Sequence, residues 1–407
     1  MSGEPSALSG GAGAGGSASV GTVAPGYEAV REAFEANLDR ERGAAFAAMV
    51  DGELVVDLWG GIANAPVAPK WREDTLCILF SGTKGLVATC VLRLIEGGAI
   101  DLDAPVAEYW PEFAANGKEG VLVRHVLGHQ AGLPGIREPV AEAEVPDWDR
   151  MTALLAAQAP FWEPGSRLWY HPITYGWLCG EIVRRVTGMP LGAYLREEIA
   201  APFGLDFWIG LPAELEGRAA RSELGDTWPG PIGEGAEDRM PAADLDSIWR
   251  NPDHFKPQLD WNTPSWRRAE IPGANGFATA RAMATHYGIL AVGGTLDGRR
   301  LLGPETIELG AATLAEGEDP CVGAVLRFGV GWALQTPELS FGPVEEAFGH
   351  GGAGGSIHGA WPDARTGFSY LPNLMRDDEE DRRAATLLAA LRRCVLERGG
   401  GRAPAVR

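Results

Sequence analysis

Ser81 and Lys84 are the residues whose types and spacing point most directly to chemistry. They lie in Phe80-Ser81-Gly82-Thr83-Lys84-Gly85. The apolar run Leu76–Phe80 precedes them, and the run Leu86–Ile95 after them is expected to be helical. A serine at a helix start lies near unpaired backbone N–H groups and the positive end of the helix dipole. A lysine three residues on stands one turn further along the same face. The hydroxyl and the amine can then touch, and an amine that takes the proton of a serine makes it a nucleophile. Ser81 as a plain helix cap with Lys84 as a solvated cation fits the same spacing, so the pair alone leaves both open. His125 and His129 are four residues apart, a spacing that can seat a metal on a helix, but Gly128 interrupts them and no third ligand is near. Ordinary hydrogen-bonding histidines are expected there, with no metal and no cofactor.

The chain has 407 residues, 45% hydrophobic and 22% charged, enough to bury a large core around such a site. Its 35 Lys+Arg stand against 55 Asp+Glu, a formal net charge of −20. That excess argues against nucleic acid and anionic membranes as partners, because both attract basic surfaces. No apolar run has the length of a membrane span. Cys77, Cys90, Cys179, Cys321 and Cys394 are odd in number and scattered. Buried reduced thiols in a cytoplasmic protein are expected rather than a disulfide framework. Residues 1–24 are Gly/Ala/Ser-rich with neither a basic nor an apolar signal segment, and read as a disordered tail. Residues 399–407 read as a second loose end.

Several elements must position the Ser-Lys pair. Tyr27–Arg42 has helical spacing through Val30, Phe34 and Leu38. Ala45–Val50 and Leu54–Trp59 flank Asp51-Gly52, a hairpin signal. Short helices are expected at 123–128 and 152–159, a long one over 174–187 ended by Gly188, and others over 191–199, 275–292, 304–312 and 381–398. Strands are expected over 328–334, 346–350, 356–361 and 366–371. Residues 211–272 carry Pro, Trp and acid without sustained period, too long for a plain connection and typical of a functional cover. Trp228, Trp249, Phe255, Trp261 and Trp266 there are expected to line a substrate pocket, to pack the insertion onto the body, or both. Strands at both chain ends with helices between them imply an α+β fold, one antiparallel sheet built from the two ends with an inserted helical lobe.

Three stretches in order resemble the serine β-lactamase and penicillin-binding-protein superfamily, in the class C β-lactamase-like branch that includes family VIII carboxylesterases. They are Ser81-Gly82-Thr83-Lys84, the S-x-x-K motif; Tyr170-His171-Pro172, at the place of Tyr-x-Asn; and His350-Gly351-Gly352-Ala353-Gly354-Gly355-Ser356, at the place of Lys-Thr-Gly. Arg124–Pro134, Pro202–Leu205 and Ala274–Ala280 resemble secondary family features, so the resemblance spans roughly 27–395. It implies a β-lactamase/transpeptidase-like fold with one catalytic domain over about 25–398. The sheet is expected from 27–80 and 325–398, the helical lobe from 82–320 and the cover over 211–272.

The resemblance also implies roles. Ser81 would attack an acyl carbonyl, and Lys84 and Tyr170 would share the proton relay, with the general base left open between them. Tyr175 competes for the tyrosine role, but family spacing favours Tyr170. The backbone N–H groups of Ser81 and Ala353 would form the oxyanion hole, and His350, Gly351 and Gly352 would line the substrate. His350 replaces a lysine that helps bind a β-lactam carboxylate, and Pro172 replaces an amide-binding asparagine. Both changes steer the expectation from β-lactams toward a carboxylic ester. The alternative is an acyltransferase passing the acyl group to an amine or alcohol. An amidase or D-aminopeptidase, a β-lactamase and a non-catalytic binding protein stand behind these. The implied partner is a small-molecule ester or acyl donor.

Overall fold

Strand β2 (Gly43–Val50) is buried at every position, and its two faces explain the architecture. Side chains alternate across a strand. Ala45 and Ala47 pack into the larger core, while Ala44, Phe46, Ala48 and Val50 pack into a second core on the other face. The sheet is therefore covered on both sides. The computed structural model describes residues 18–399 apart from 65, 68, 227, 229, 231, 233–234, 252–259, 339 and 377–380. The expected C-terminal loose end beyond Gly399 and the first 17 residues lie outside the described residues.

The nine strands of the main sheet are β1 (Val20–Val23), β2, β3 (Glu53–Gly61), β4 (Ala315–Asp319), β5 (Ala324–Phe328), β6 (Ala333–Leu334), β7 (Phe348–Gly352), β8 (Ser356–Trp361) and β9 (Thr366–Pro372). Their order is β1-β3-β2-β9-β8-β7-β6-β5-β4. Every neighbouring pair is antiparallel, and β9 joins the C-terminal strands to β2 from the N-terminal end. Asp51 and Gly52 between β2 and β3 both have positive φ, 52° and 87°, as a two-residue hairpin turn matched to strand twist requires.

Helices α1 (Glu28–Leu38) and α5 (Arg383–Glu397) pack together over one face through Val30, Phe34, Leu387, Leu388 and Leu391. On the other face lie α4 (Ala280–Ala291) and the helical lobe. In that lobe α2 (Thr83–Glu96) is buried at every residue from Thr83 to Leu92, as a central helix must be. Helix α3 (Thr174–Thr187) packs against it and ends at Gly188 in the left-handed conformation, a glycine C-cap.

Three expectations are corrected. The tail expected through residue 24 contributes β1, which pairs with β3. The helix expected from 275 starts at Ala280, because Gly276–Ala278 forms a strand paired with both Cys77–Ile78 and Phe207–Ile209. The strand expected over 328–334 is broken by Gly329-Val330-Gly331 into the ends of β5 and β6, and β4, N-terminal to 325, also joins the sheet.

Gly367 on β9 shows how closely α4 sits. A Cβ there would overlap the backbone nitrogen of Gly288 on α4. Overpacking of this kind costs about 1–3 kcal/mol or more when backbone must move. Gly367→Ala is therefore expected to lower the denaturant midpoint, and an unchanged midpoint would refute the close contact.

Candidate active site

The peptide leading into α2 is held in an unusual conformation. Phe80 has φ +45°, a region that costs energy for a residue with a side chain. The cost is offset by surrounding bonds. The Thr83 hydroxyl donates to the Phe80 carbonyl at 2.6 Å and accepts from the Gly276 N–H at 2.8 Å, and the Phe80 ring meets Trp261 edge-on at 5.4 Å. Ser81 thus lies on a single tight turn, Phe80–Gly82, that feeds α2.

Lys84 is fully buried. Its amine is 3.0 Å from Ser81 Oγ, 2.7 Å from the Pro172 carbonyl oxygen and 2.6 Å from the Gly273 carbonyl oxygen. The reading of Lys84 as a solvated surface cation is excluded. Burial holds its pKa well below the usual lysine value, because desolvation disfavours the ammonium. In the neutral amine the two carbonyls take the two N–H groups, which leaves the lone pair for Ser81. The loop at Gly273 reaches this position because Gly176 on α3 lacks a side chain: a Cβ there would overlap Gly273 N.

The Tyr170 hydroxyl lies beside Ser81, and burial raises its pKa above that of an ordinary phenol. Its ring lies 4.9 Å from the Lys84 amine and stacks on Phe328, 6.0 Å between centroids at 9°. Its backbone N–H donates to Asp319 at 2.5 Å. Tyr175, the competing tyrosine, is fully buried within α3, stacked on His129 with its hydroxyl toward Cys179.

His350 on β7 lies at the cavity wall with Ser81 and Tyr170. Its Nδ1 is 2.7 Å from the Gly351 carbonyl oxygen, so Nδ1 carries the proton and Nε2 is an acceptor. Burial pushes its pKa down to about 3, and the ring is neutral. Strand β7 runs against the residues before Ser81 because Gly352 has no side chain: a Cβ there would overlap the Leu79 carbonyl oxygen. Ser81 and Ala353 then line the same space.

Two cavities meet at Ser81. The larger, about 560 Å³, is walled by Tyr170, Phe328, His350, Ser356 and Asp381. The smaller, about 200 Å³, is walled by Phe80, Pro172, Ile173, Trp228, Trp249 and Ala353. The aromatic set of the 211–272 insertion divides: Trp228 and Trp249 line this smaller cavity, while Trp261 and Trp266 pack into the core. Phe255 lies outside the described residues.

The candidate metal pair is accounted for by backbone bonds. His125 Nδ1 accepts from Leu122 N–H and His129 Nδ1 from His171 N–H. Among the described residues no group of three His, Cys, Asp or Glu side chains is placed to hold a metal. All five cysteines are buried and free. No helix of the described residues is long and apolar enough to cross a membrane.

Some site residues had no sequence signal. Asp319 accepts the N–H groups of Tyr170, Cys321 and Val322, and so fixes the backbone at Tyr170. Pro172 and Gly273 act through carbonyls, which any residue has. His358, opposite His350 in the sheet, bonds Ser369 and packs its ring against Gly82. It supports the turn carrying Ser81.

A strained turn at Phe80 thus carries Ser81, with a buried lysine amine 3.0 Å from its hydroxyl oxygen and Tyr170 on the same cavity wall. Residues 30–392 match the Beta-lactamase family model, and the chain belongs to the beta-lactamase family. It is 36% identical over 375 residues to "Esterase/beta-lactamase LipL" of Mycobacterium tuberculosis (strain ATCC 25618 / H37Rv), covering 86% of this chain and 81% of that protein. The crystal structure of a family VIII carboxylesterase superposes with TM-score 0.85 at 40% identity, over 92% of this chain and 99% of the other. A penicillin-binding-protein homologue from Caulobacter crescentus superposes with TM-score 0.84 at 40% identity, over the same shares. The fold is the β-lactamase/transpeptidase-like α+β fold.

The buried imidazoles make stability depend on pH. Burial holds His171, His286, His350 and His358 each at about 3, against roughly 6.5 in an unfolded chain. Between those values the unfolded chain binds protons that the folded one refuses, so stability falls as pH drops below about 6.5. Glu41, raised to about 7 by burial, opposes this with a single proton. Denaturant midpoints measured from pH 7 to pH 4 should fall steadily; a flat profile would refute the buried neutral histidines.

Proposed function

We propose that this chain is a serine hydrolase that cleaves a carboxylic ester through an acyl-enzyme on Ser81. The observation that carries the reading is the buried Lys84 amine 3.0 Å from Ser81 Oγ, with Tyr170 on the same cavity wall. Burial lowers Lys84 and raises Tyr170, which supports Lys84 as base and Tyr170 as acid. Lys84 takes the proton of Ser81 as Oγ attacks the ester carbonyl. The N–H groups of Ser81 and Ala353 receive the developing oxyanion. The departing alkoxide takes the Tyr170 proton, and the Lys84 ammonium returns one to Tyr170. Water then attacks the acyl-enzyme by the same relay in reverse.

His350 is a neutral imidazole at the cavity wall and not a cation, which supports an uncharged ester over a β-lactam carboxylate. The glycines at 351 and 352 let the substrate lie against β7. The chain from β1 at Val20 to about 398 acts as one catalytic unit with 211–272 as its cover, and the five free thiols support a cytoplasmic setting. Acyl transfer to an alcohol or amine is the second reading. The presence of two cavities at one nucleophile favours it, because donor acyl group and acceptor can be seated in separate spaces beside Ser81.

Wild-type protein should turn over a chromogenic short-chain ester and gain one fluorophosphonate mass. Ser81→Ala should take no label and lose at least about 10³-fold in kcat. Label persisting in Ser81→Ala would sink the assignment, and acyl transfer would show as turnover raised by added alcohol or amine. Lys84→Arg, permanently charged, should lose about 10²-fold or more in kcat. In the wild type, kcat/KM should rise with pH through a Lys84 ionisation well below the ordinary lysine range. An acid limb at the ordinary lysine value would refute Lys84 as the base.

A further inference from the structure

The turn from β7 to β8 has little stiffness of its own. It contains Ala353-Gly354-Gly355, and Gly354 and Gly355 adopt φ +86° and +97°, conformations open to glycine because it has no Cβ. Yet Ala353 supplies one of the two N–H groups of the proposed oxyanion hole, where donors must lie within a few tenths of an ångström of one position. Something outside the turn must hold it.

The side chain that reaches it is Arg383, at the start of α5 and 1% exposed. Its Nη2 donates to the Gly354 carbonyl oxygen at 3.1 Å and to Asp381 Oδ2 at 2.7 Å. Nε donates to Asp381 Oδ1 at 2.8 Å. Nη1 donates to Glu41 Oε1 at 2.7 Å and to the Leu374 carbonyl oxygen at 3.0 Å. A guanidinium has five N–H donors in a rigid plane, and all five are engaged. Glu41 is itself held by the Tyr370 hydroxyl. The turn is gripped from its other side by Arg376 N–H, which donates to the same Gly354 oxygen at 3.2 Å, and by Met375 packed on the Gly354 Cα.

Buried ion pairs are poor devices for stability, because desolvation consumes most of their attraction. Their distinctive product here is fixed geometry in a glycine turn. The guanidinium stands beside the reacting atoms' support and touches none of them.

We propose that Arg383, clamped by Asp381 and Glu41, is a positioning residue that sets the Ala353 N–H at oxyanion distance from Ser81. The proposal rests on the Ser81 acyl-enzyme reading. It separates turnover from binding: the clamp acts on the tetrahedral state, not on the ground-state ester.

The test uses the full chain with Arg383→Lys, which keeps the charge but cannot span five acceptors, and Asp381→Asn, which loosens the guanidinium from the cavity side. Three measurements are made: ester kinetics, the affinity of an arylboronic acid whose adduct places an oxygen in the oxyanion hole, and amide hydrogen exchange over 351–356. Expected for Arg383→Lys are a 10- to 100-fold fall in kcat, KM within threefold, a parallel fall in boronate affinity and faster exchange in the turn. Asp381→Asn should show the same pattern more weakly, and it decides the matter if Arg383→Lys does not fold. Folded variants with kcat and boronate affinity within twofold of wild type would overturn the proposal. So would losses that vanish once rates are divided by the titrated fraction of active protein. A wild-type protein that forms neither boronate nor phosphonate adduct would overturn the acyl-enzyme reading, and this proposal with it.

Discussion

The burial of one amine is the constraint on which the site depends. Lys84 is entirely removed from water, and an ammonium there is costly unless every proton has a partner. Two carbonyls and the Ser81 hydroxyl would partner all three ammonium protons, so it is desolvation that favours the neutral amine. The same burial that makes Lys84 difficult to accommodate keeps its amine in the neutral form with a free lone pair. For it to be buried, α2 must be central to the helical lobe, and the segments around Pro172 and Gly273 must close over it from two sides.

Close backbone approach then assembles the rest. The Ser81 turn meets β8 through Gly82, which leaves room for His358, and α2 meets α4 through Gly85, which leaves room for Tyr287. Strand β7 meets the Ser81 turn through Gly352. Each contact is possible because a Cβ is missing. Lys84, Tyr170 and a neutral His350 are the ionisable side chains that the fold gathers around Ser81.

Much of the architecture was legible where a pattern is local. Helix 174–187 was marked at its end by Gly188, and Asp51-Gly52 announced the β2–β3 hairpin. Failures came where pairing decides. Gly276–Ala278 continues smoothly into a helical sequence, yet it has strand partners on both sides. Val20–Val23 is too short to declare itself and exists by pairing with β3. Trp249 and Trp261 look alike in sequence, but one borders a cavity and the other packs on Phe80.

By itself the sequence determined which groups are available: a serine and a lysine one helical turn apart, a tyrosine ahead of a long helix, and a glycine-rich strand end headed by a histidine. Those are covalent facts, and local helix geometry alone puts Ser81 within reach of Lys84. Only the tertiary structure decided what state the groups are in. The partners of Lys84 are carbonyls 88 and 189 residues away, and the clamp on the Ala353 turn joins Glu41, Asp381 and Arg383 across the chain ends. Solvation and long-range hydrogen bonds set protonation and aim, and neither is encoded in the neighbourhood of the residue they act on.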